Sequence, residues 1–334
     1  MSTVLERLNC GLQEAMQSSQ DVYVLGEDIL DPYGGAFKVT RGLSTQFPQR
    51  VLTTPISEAA IVGISNGMAL RGLRPVAEIM FGDFVTLAAD QLINHAAKFR
   101  WMYNDQVRVP LVVRAPMGGR RGYGPTHSQS LEKLFLGVPG LRVVAPNTLA
   151  DPAELLKQAI LGDDGPVLFV EHKLLYTRAL LQVGQGELLD WEVSTSGGPY
   201  PTHRLQIANS GSADITIATY GYNFELARAA AHELMYEREL SAEIVLFSQL
   251  SPFELSPLFD SLRRTGRLLT VEEGSLSLGW GAEVLARALE SGIPHLKARR
   301  AAALDLPIGN SKSIEDAILP SQQHIAELAL ELIG

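Results

Sequence analysis

The chain reads as an α/β protein of two domains, each a mostly parallel sheet covered by helices. Three observations predict this. Short apolar runs of strand length alternate with longer stretches of helical spacing, which is the pattern of a parallel sheet covered on both faces. The alternation dissolves once, between about 181 and 209, into Gly, Ser, Thr and Pro, including Ser194-Thr195-Ser196-Gly197-Gly198-Pro199. It then resumes, and 334 residues suffice for two cores. The expected domains are 1–180 and a smaller 210–334, with 181–209 as the linker.

In chain order, Val4, Leu5, Leu8, Leu12, Ala15 and Met16 have helical spacing, and 22–25 is a short buried-strand run. Gly26-Glu27-Asp28 follows it, placing Glu27 at the carboxyl end of a strand, where ligand-facing residues of open parallel sheets sit; a turn acid bonded to local amides is the other reading. After the glycine turn at Gly34-Gly35 comes the stretch 53–78. Pro55 cannot donate a backbone hydrogen bond and Ser57 is a good cap. Residues 59–70 then run small and apolar until Arg71-Gly72, so a nearly wholly buried helix is expected with Glu58 in its first turn. An acid there suits the helix dipole, or it meets a ligand that must be protonated. Gly63, Ser65, Gly67 and Met68 leave the flanks open to close neighbours, including another chain.

Residues 75–80 read as the next strand and 84–103 as one long helix, with Phe84 at the junction as plain core or as a ligand-facing ring. A strand at 110–114 leads into a glycine-rich, mobile loop, 117–125, which ends at His127 and a helix start at Ser128. His127 is a surface or capping residue or a catalytic one; Arg120 and Arg121 are a solvated pair or meet a substrate carboxylate. Strands at 141–145 and 166–171 flank a helix at 151–161. The second domain carries strands at 214–220, 242–247 and 268–273, with helices at 223–237, 255–264 and 281–291.

A net charge of −9, a pI near 5.3 and no basic block argue against nucleic acid as a partner. The single cysteine, Cys10, rules out an internal disulfide and a cysteine-built metal site and suits a reducing compartment. Residues 1–16 lack the basic start and apolar core of a signal peptide, and no apolar run reaches the roughly 18 residues of a membrane span. A cytoplasmic protein without a membrane partner is expected.

Four ordered motifs carry a resemblance: Gly26-Glu27-Asp28; Gly35-Ala36-Phe37-Lys38-Val39-Thr40-Arg41-Gly42-Leu43; Thr54-Pro55-Ile56-Ser57-Glu58; and Gly124-Pro125-Thr126-His127-Ser128-Gln129-Ser130. Together they resemble the β subunit of the thiamine-diphosphate-dependent E1 component of 2-oxo acid dehydrogenases of the pyruvate, acetoin and branched-chain type. The match is strong to about Glu171 and looser beyond. The resemblance implies a pyrimidine-binding domain followed by a transketolase C-terminal-like domain. It implies that Glu58 hydrogen-bonds the cofactor's aminopyrimidine and governs its tautomer, that Glu27 joins a network beside it, and that Ile56, Phe81 and Phe84 line the cofactor, with Phe84 against the pyrimidine ring. His127 would bond the substrate and assist proton movement in acyl transfer.

The family's diphosphate motif, Gly-Asp-Gly followed by Asn, is missing: Gly162-Asp163-Asp164-Gly165 has the wrong order, and Gly82-Asp83-Phe84 puts a bulky ring where a small residue belongs. The diphosphate and its Mg²⁺ are therefore expected on a separate α subunit, in an α2β2 assembly that passes an acyl group from a small 2-oxo acid to a lipoyl-bearing E2. Members often also hold a monovalent cation through backbone carbonyls. The chain departs from the family at Leu246-Phe247-Ser248-Gln249-Leu250, which lacks an expected arginine, in the polar stretch 182–204, and around Leu306-Pro307-Ile308. These departures leave open one half of a split transketolase-like enzyme with a non-lipoyl acceptor. A doubly wound scaffold module without chemistry is the reading from another class.

Overall fold

The computed structural model describes residues 2–334 and divides the chain into two units, Met1–Gly118 with Leu134–Leu180, and Gly119–Lys133 with Leu181–Gly334. The first unit begins with α1 (Val4–Ser18), whose start is fixed by a reciprocal cap: Glu6 N donates to Thr3 Oγ1 at 3.3 Å and Thr3 N to Glu6 Oε2 at 2.8 Å. Val4, Leu8, Leu12, Ala15 and Met16 are its buried face. There follow β1 (Val22–Gly26), the short α2 (Leu43–Gln46), β2 (Val51–Thr53), α3 (Glu58–Leu70) and β3 (Arg74–Glu78). Then come α4 (Ala97–Met102), β4 (Val112–Met117), β5 (Arg142–Val144), α5 (Pro152–Lys157) and β6 (Val167–His172).

The strands lie in the order β5-β6-β4-β3-β1-β2, every neighbouring pair parallel. β4 and β6 are buried along their whole length, as a sheet covered on both faces demands. Gly11 lets α1 close on α5: a Cβ there would stand 2.9 Å from Ala153 Cα.

Two expectations change. The stretch foreseen as one helix over 84–103 is three successive helical segments, a 3₁₀ segment Gly82–Ala88, a π segment Gln91–Ala96 and α4. And α3 is only half buried: Ile61, Val62, Ser65, Asn66 and Ala69 face inward, while Ala60, Ile64 and Gly67 form an exposed stripe, with Ile64 56% exposed. Ser57 takes the cap position of α3 in extended backbone but makes no side-chain cap bond.

The second unit adds β7 (Trp191–Thr195), β8 (Thr202–Ile207), β9 (Ile215–Tyr220), α6 (Asn223–Arg238), β10 (Ala242–Phe247) and the short β11 (Gln249–Ser251). It continues through α7 (Ser256–Thr265), β12 (Arg267–Ser275), α8 (Trp280–Glu290), β13 (Lys297–Ala303), α9 (Lys312–Ile318) and α10 (Gln322–Ile333). Its sheet runs β13-β12-β9-β10-β8-β7, parallel from β13 to β10, with β8 and β7 antiparallel. The stretch read as linker thus holds a hairpin. Leu205 and Ile207 on β8 and Trp191 on β7 are buried, an inward set that the surrounding Gly, Ser and Thr obscure in the sequence.

Candidate active site

The six parallel strands of the first unit all end on one edge of its sheet, the carboxyl edge, where open α/β sheets bind ligands. Glu27 follows β1 directly. Gly26 pairs with Thr53 of β2, and Thr54 N donates to Gly26 O at 3.0 Å, so the short connection to Glu58 begins beside Glu27. Phe81 and Phe84 follow β3.

Glu58 and Glu27 are 6% and 7% exposed, and such burial of two carboxylates requires compensation. Glu27 lacks it: its Oε1 is buried without a hydrogen-bond partner, as is Thr54 Oγ1. Burial raises the Glu27 carboxyl above its ordinary value, and the neighbouring charges of Glu58 and Asp28 raise it further.

Phe37, Phe81 and Phe84 make an aromatic wall, with Phe37 and Phe81 edge to face at 5.5 Å and Phe81 and Phe84 at 6.3 Å. The buried Lys173 reaches over Phe81, its Nζ 5.3 Å from the ring centre. Ile56, by contrast, is 83% exposed.

Under this edge lies an ionic core that sequence reasoning missed. Arg114 on β4, fully buried, donates from Nε and Nη2 to Glu171 on β6 at 2.7 and 2.8 Å, and from Nη1 to Glu78 on β3 at 2.5 Å. Tyr176 donates to the same Glu171 at 2.6 Å. Burial opposes the charge on Arg114, but Glu171 and Glu78 outweigh it and hold the guanidinium protonated; burial also raises Glu78 and, strongly, the Tyr176 hydroxyl. The available signal was three charged residues inside otherwise apolar strand runs. Gly35 is built around this core: its φ is +77°, and a Cβ would stand 2.7 Å from Glu78 Oε1.

His127 belongs to the other unit, in the segment 119–133. It is half-buried, its N–H donates to Gly124 O at 3.2 Å, and its Nδ1 lies 3.0 Å from Thr126 Oγ1. Arg120 is turned away from solvent, with Nε 3.5 Å from Glu273 Oε2 and Nη2 donating to Pro320 O, whereas Arg121 is exposed beside the ring of Tyr123. The glycine-rich loop expected to move is held at several backbone positions within this unit.

The first unit offers what a polar aromatic ring needs: a buried carboxylate at a helix mouth, a second one with an unpaired oxygen, and half-buried aromatic rings. The aminopyrimidine half of thiamine diphosphate fits these residues. Among the described residues no group of three or more His, Cys, Asp or Glu is arranged to hold a metal ion, and no helix is long and apolar enough to cross a membrane.

The first of the two α/β units carries a carboxylate, Glu58, at the start of the helix after β2. Residues 3–178 match the transketolase pyrimidine-binding domain, and residues 205–325 the transketolase C-terminal domain. The chain is 37% identical to the pyruvate dehydrogenase E1 component subunit beta-1, mitochondrial, of Arabidopsis thaliana, over 97% of this chain and 87% of that one. It is 36% identical to the acetoin:2,6-dichlorophenolindophenol oxidoreductase subunit beta of Cupriavidus necator, over 96% of this chain and 94% of that one. Among solved structures, a split-gene transketolase in an inactive beta4 tetramer superposes with a TM-score of 0.75, covering 100% of this chain and 99% of that one; at 21% identity it shows the fold alone. The chain belongs to the β subunits of thiamine-diphosphate-dependent 2-oxo acid dehydrogenase E1 components.

Proposed function

We propose that this chain forms, with an α subunit, an E1 enzyme that oxidatively decarboxylates a small 2-oxo acid of pyruvate type and passes the acyl group to a lipoyl group on E2. One observation carries the reading: Glu58, buried in the first turn of α3, stands in the electrostatic field of Glu27, whose Oε1 has no partner. Thiamine diphosphate, when bound, supplies the nucleophilic carbon and the electron sink. Glu58 would exchange a hydrogen bond with the ring nitrogen N1′ and hold a proton there. Glu27, whose carboxyl is raised by burial and by the charge of Glu58, would stand beside that bond. Phe81 and Phe84 would flank the ring and exclude water, and Ile56 would close over it. His127 would bond the substrate oxygen and move a proton during acyl transfer.

The diphosphate with its Mg²⁺ is assigned to the α subunit because the chain lacks the motif that binds them, and the assembly to α2β2. The exposed stripe Ala60, Ile64 and Gly67 on α3 supports a covering partner chain. A monovalent cation held by backbone carbonyls belongs to the same reading. The free Cys10 suits a reducing compartment, for which the cytoplasm is proposed.

The test is Glu58→Gln in the complex reconstituted with the α-type chain encoded beside this one. Turnover is expected to fall about 10²-fold or more, the loss of an essential proton-transfer partner. Unchanged turnover would overturn the reading.

A further inference from the structure

The segment that carries His127 is clamped at both ends by acids from elsewhere in the second unit. Glu273, near the end of β12 and 3% exposed, accepts hydrogen bonds through Oε1 from Gly119 N at 2.7 Å and from Ser130 Oγ at 3.1 Å. One carboxylate oxygen therefore joins the residue eight before His127 to the residue three after it. Its Oε2 stands 3.5 Å from Arg120 Nε. Glu315 on α9, 2% exposed, accepts from Arg120 N at 3.0 Å and from Gly122 N at 3.1 Å. Beyond His127, Tyr220 donates to Glu132, and Lys133 Nζ donates to Ser275 Oγ at 2.5 Å and Ser277 O at 2.7 Å.

Adjacent residues of a strand face opposite sides, and in β12, whose pairing with β13 shifts register between Val271 and Ser275, two acids use both sides. Glu272 points at the start of α8, where it accepts from Trp280 N at 2.7 Å and Gly281 N at 2.8 Å, while the adjacent Glu273 faces the 119–133 segment. Arg120 sits at φ +68°, a left-handed conformation that a non-glycine residue keeps only when its surroundings impose it; the Glu315 bond to Arg120 N does so.

We infer that Glu273 is a positioning residue for His127: its carboxylate ties the two ends of the segment together and so fixes where the imidazole is presented. The inference rests on the role proposed for His127 and adds the group that sets its position. A charged acceptor suits this task, because bonds from a backbone N–H and a hydroxyl to a carboxylate are stronger than to a neutral oxygen. Glu315 supports the same loop from α9.

The test uses the reconstituted α–β complex with four variants: Glu273→Gln, Ser130→Ala, His127→Ala and the double variant Glu273→Gln/His127→Ala. Glu273→Gln is expected to lower kcat roughly tenfold and Ser130→Ala a few-fold, because small displacements of an acid–base group are costly. KM for the 2-oxo acid and affinity for thiamine diphosphate should stay within about twofold, as for a loss felt only in the transition state. In the His127→Ala background, Glu273→Gln should cost nothing further, since the group it positions is gone. Amide exchange at Gly119 and Arg120 in Glu273→Gln should quicken while β9 keeps its protection. Wild-type kcat in Glu273→Gln, or a full additional loss in the double variant, overturns the inference. Wild-type turnover in His127→Ala overturns the role of His127 and the inference with it, whereas a loss in His127→Ala without one in Glu273→Gln overturns the inference alone.

Discussion

Glu27 and Glu58 are two buried carboxylates on one edge of a parallel sheet, and the charge on Glu58 raises the proton affinity of Glu27. Burial and the charge on Glu58 both favour the neutral form of Glu27.

The raised Glu27 carboxyl has a consequence for stability. Between the ordinary value of 4.5 and the raised folded value, the native state binds more protons than the unfolded state, so stability falls as pH rises through that window and stays lower above it. Glu27→Gln is expected to flatten this fall and to raise Tm at neutral pH. A Tm series from below pH 4.5 to neutrality measures it, and a profile parallel to wild type would contradict the assignment.

Glu272 provides a sharper case. Burial pushes it up to about 7, against bonds from Trp280 N and Gly281 N that favour its charge. A rise from 4.5 to about 7 costs about 3 kcal/mol of stability by neutral pH, lost as pH climbs through the same interval. Carbon NMR of the carboxyls should find a glutamate titrating near neutrality, and Glu272→Gln should delete that signal.

Removing His127 separates chemistry from binding. His127→Ala is expected to reduce turnover about 10²-fold while cofactor affinity, followed by calorimetry, stays within a factor of two or so. Equal losses of both would make His127 a binding residue instead.

Arg114 is the counter-ion on which two buried acids depend. Arg114→Met leaves Glu78 and Glu171 uncompensated and is expected to destabilise the first unit by about 3–5 kcal/mol in urea unfolding. Arg114→Lys should recover only part of this, because an ammonium cannot fork to two carboxylates as the guanidinium does. A cost below about 1 kcal/mol for Arg114→Met would mean that one of the acids is already protonated in the native state.

The residues proposed for the site were legible in the sequence, because they sit next to the elements that place them. Glu58 begins an apolar helix, Glu27 ends a buried strand, and Phe84 stands at a strand–helix junction. What could not be read depends on partners remote in the chain. The bond from Gly119 to Glu273 spans 154 residues and that from Arg120 to Glu315 spans 195, so nothing near His127 announces the acids that hold its segment. The hairpin of β7 and β8 was hidden for a related reason: β8 joins the sheet by pairing with β10, some way along the chain, and β7 pairs only with β8.

The sequence by itself determined the α/β class, the two cores and the family, since local hydrophobic periodicity and short ordered motifs need no knowledge of distant contacts. Tertiary structure alone decided which charges are buried together, because desolvation and repulsion between Glu27 and Glu58, or compensation among Arg114, Glu78 and Glu171, exist only once separate strands lie side by side.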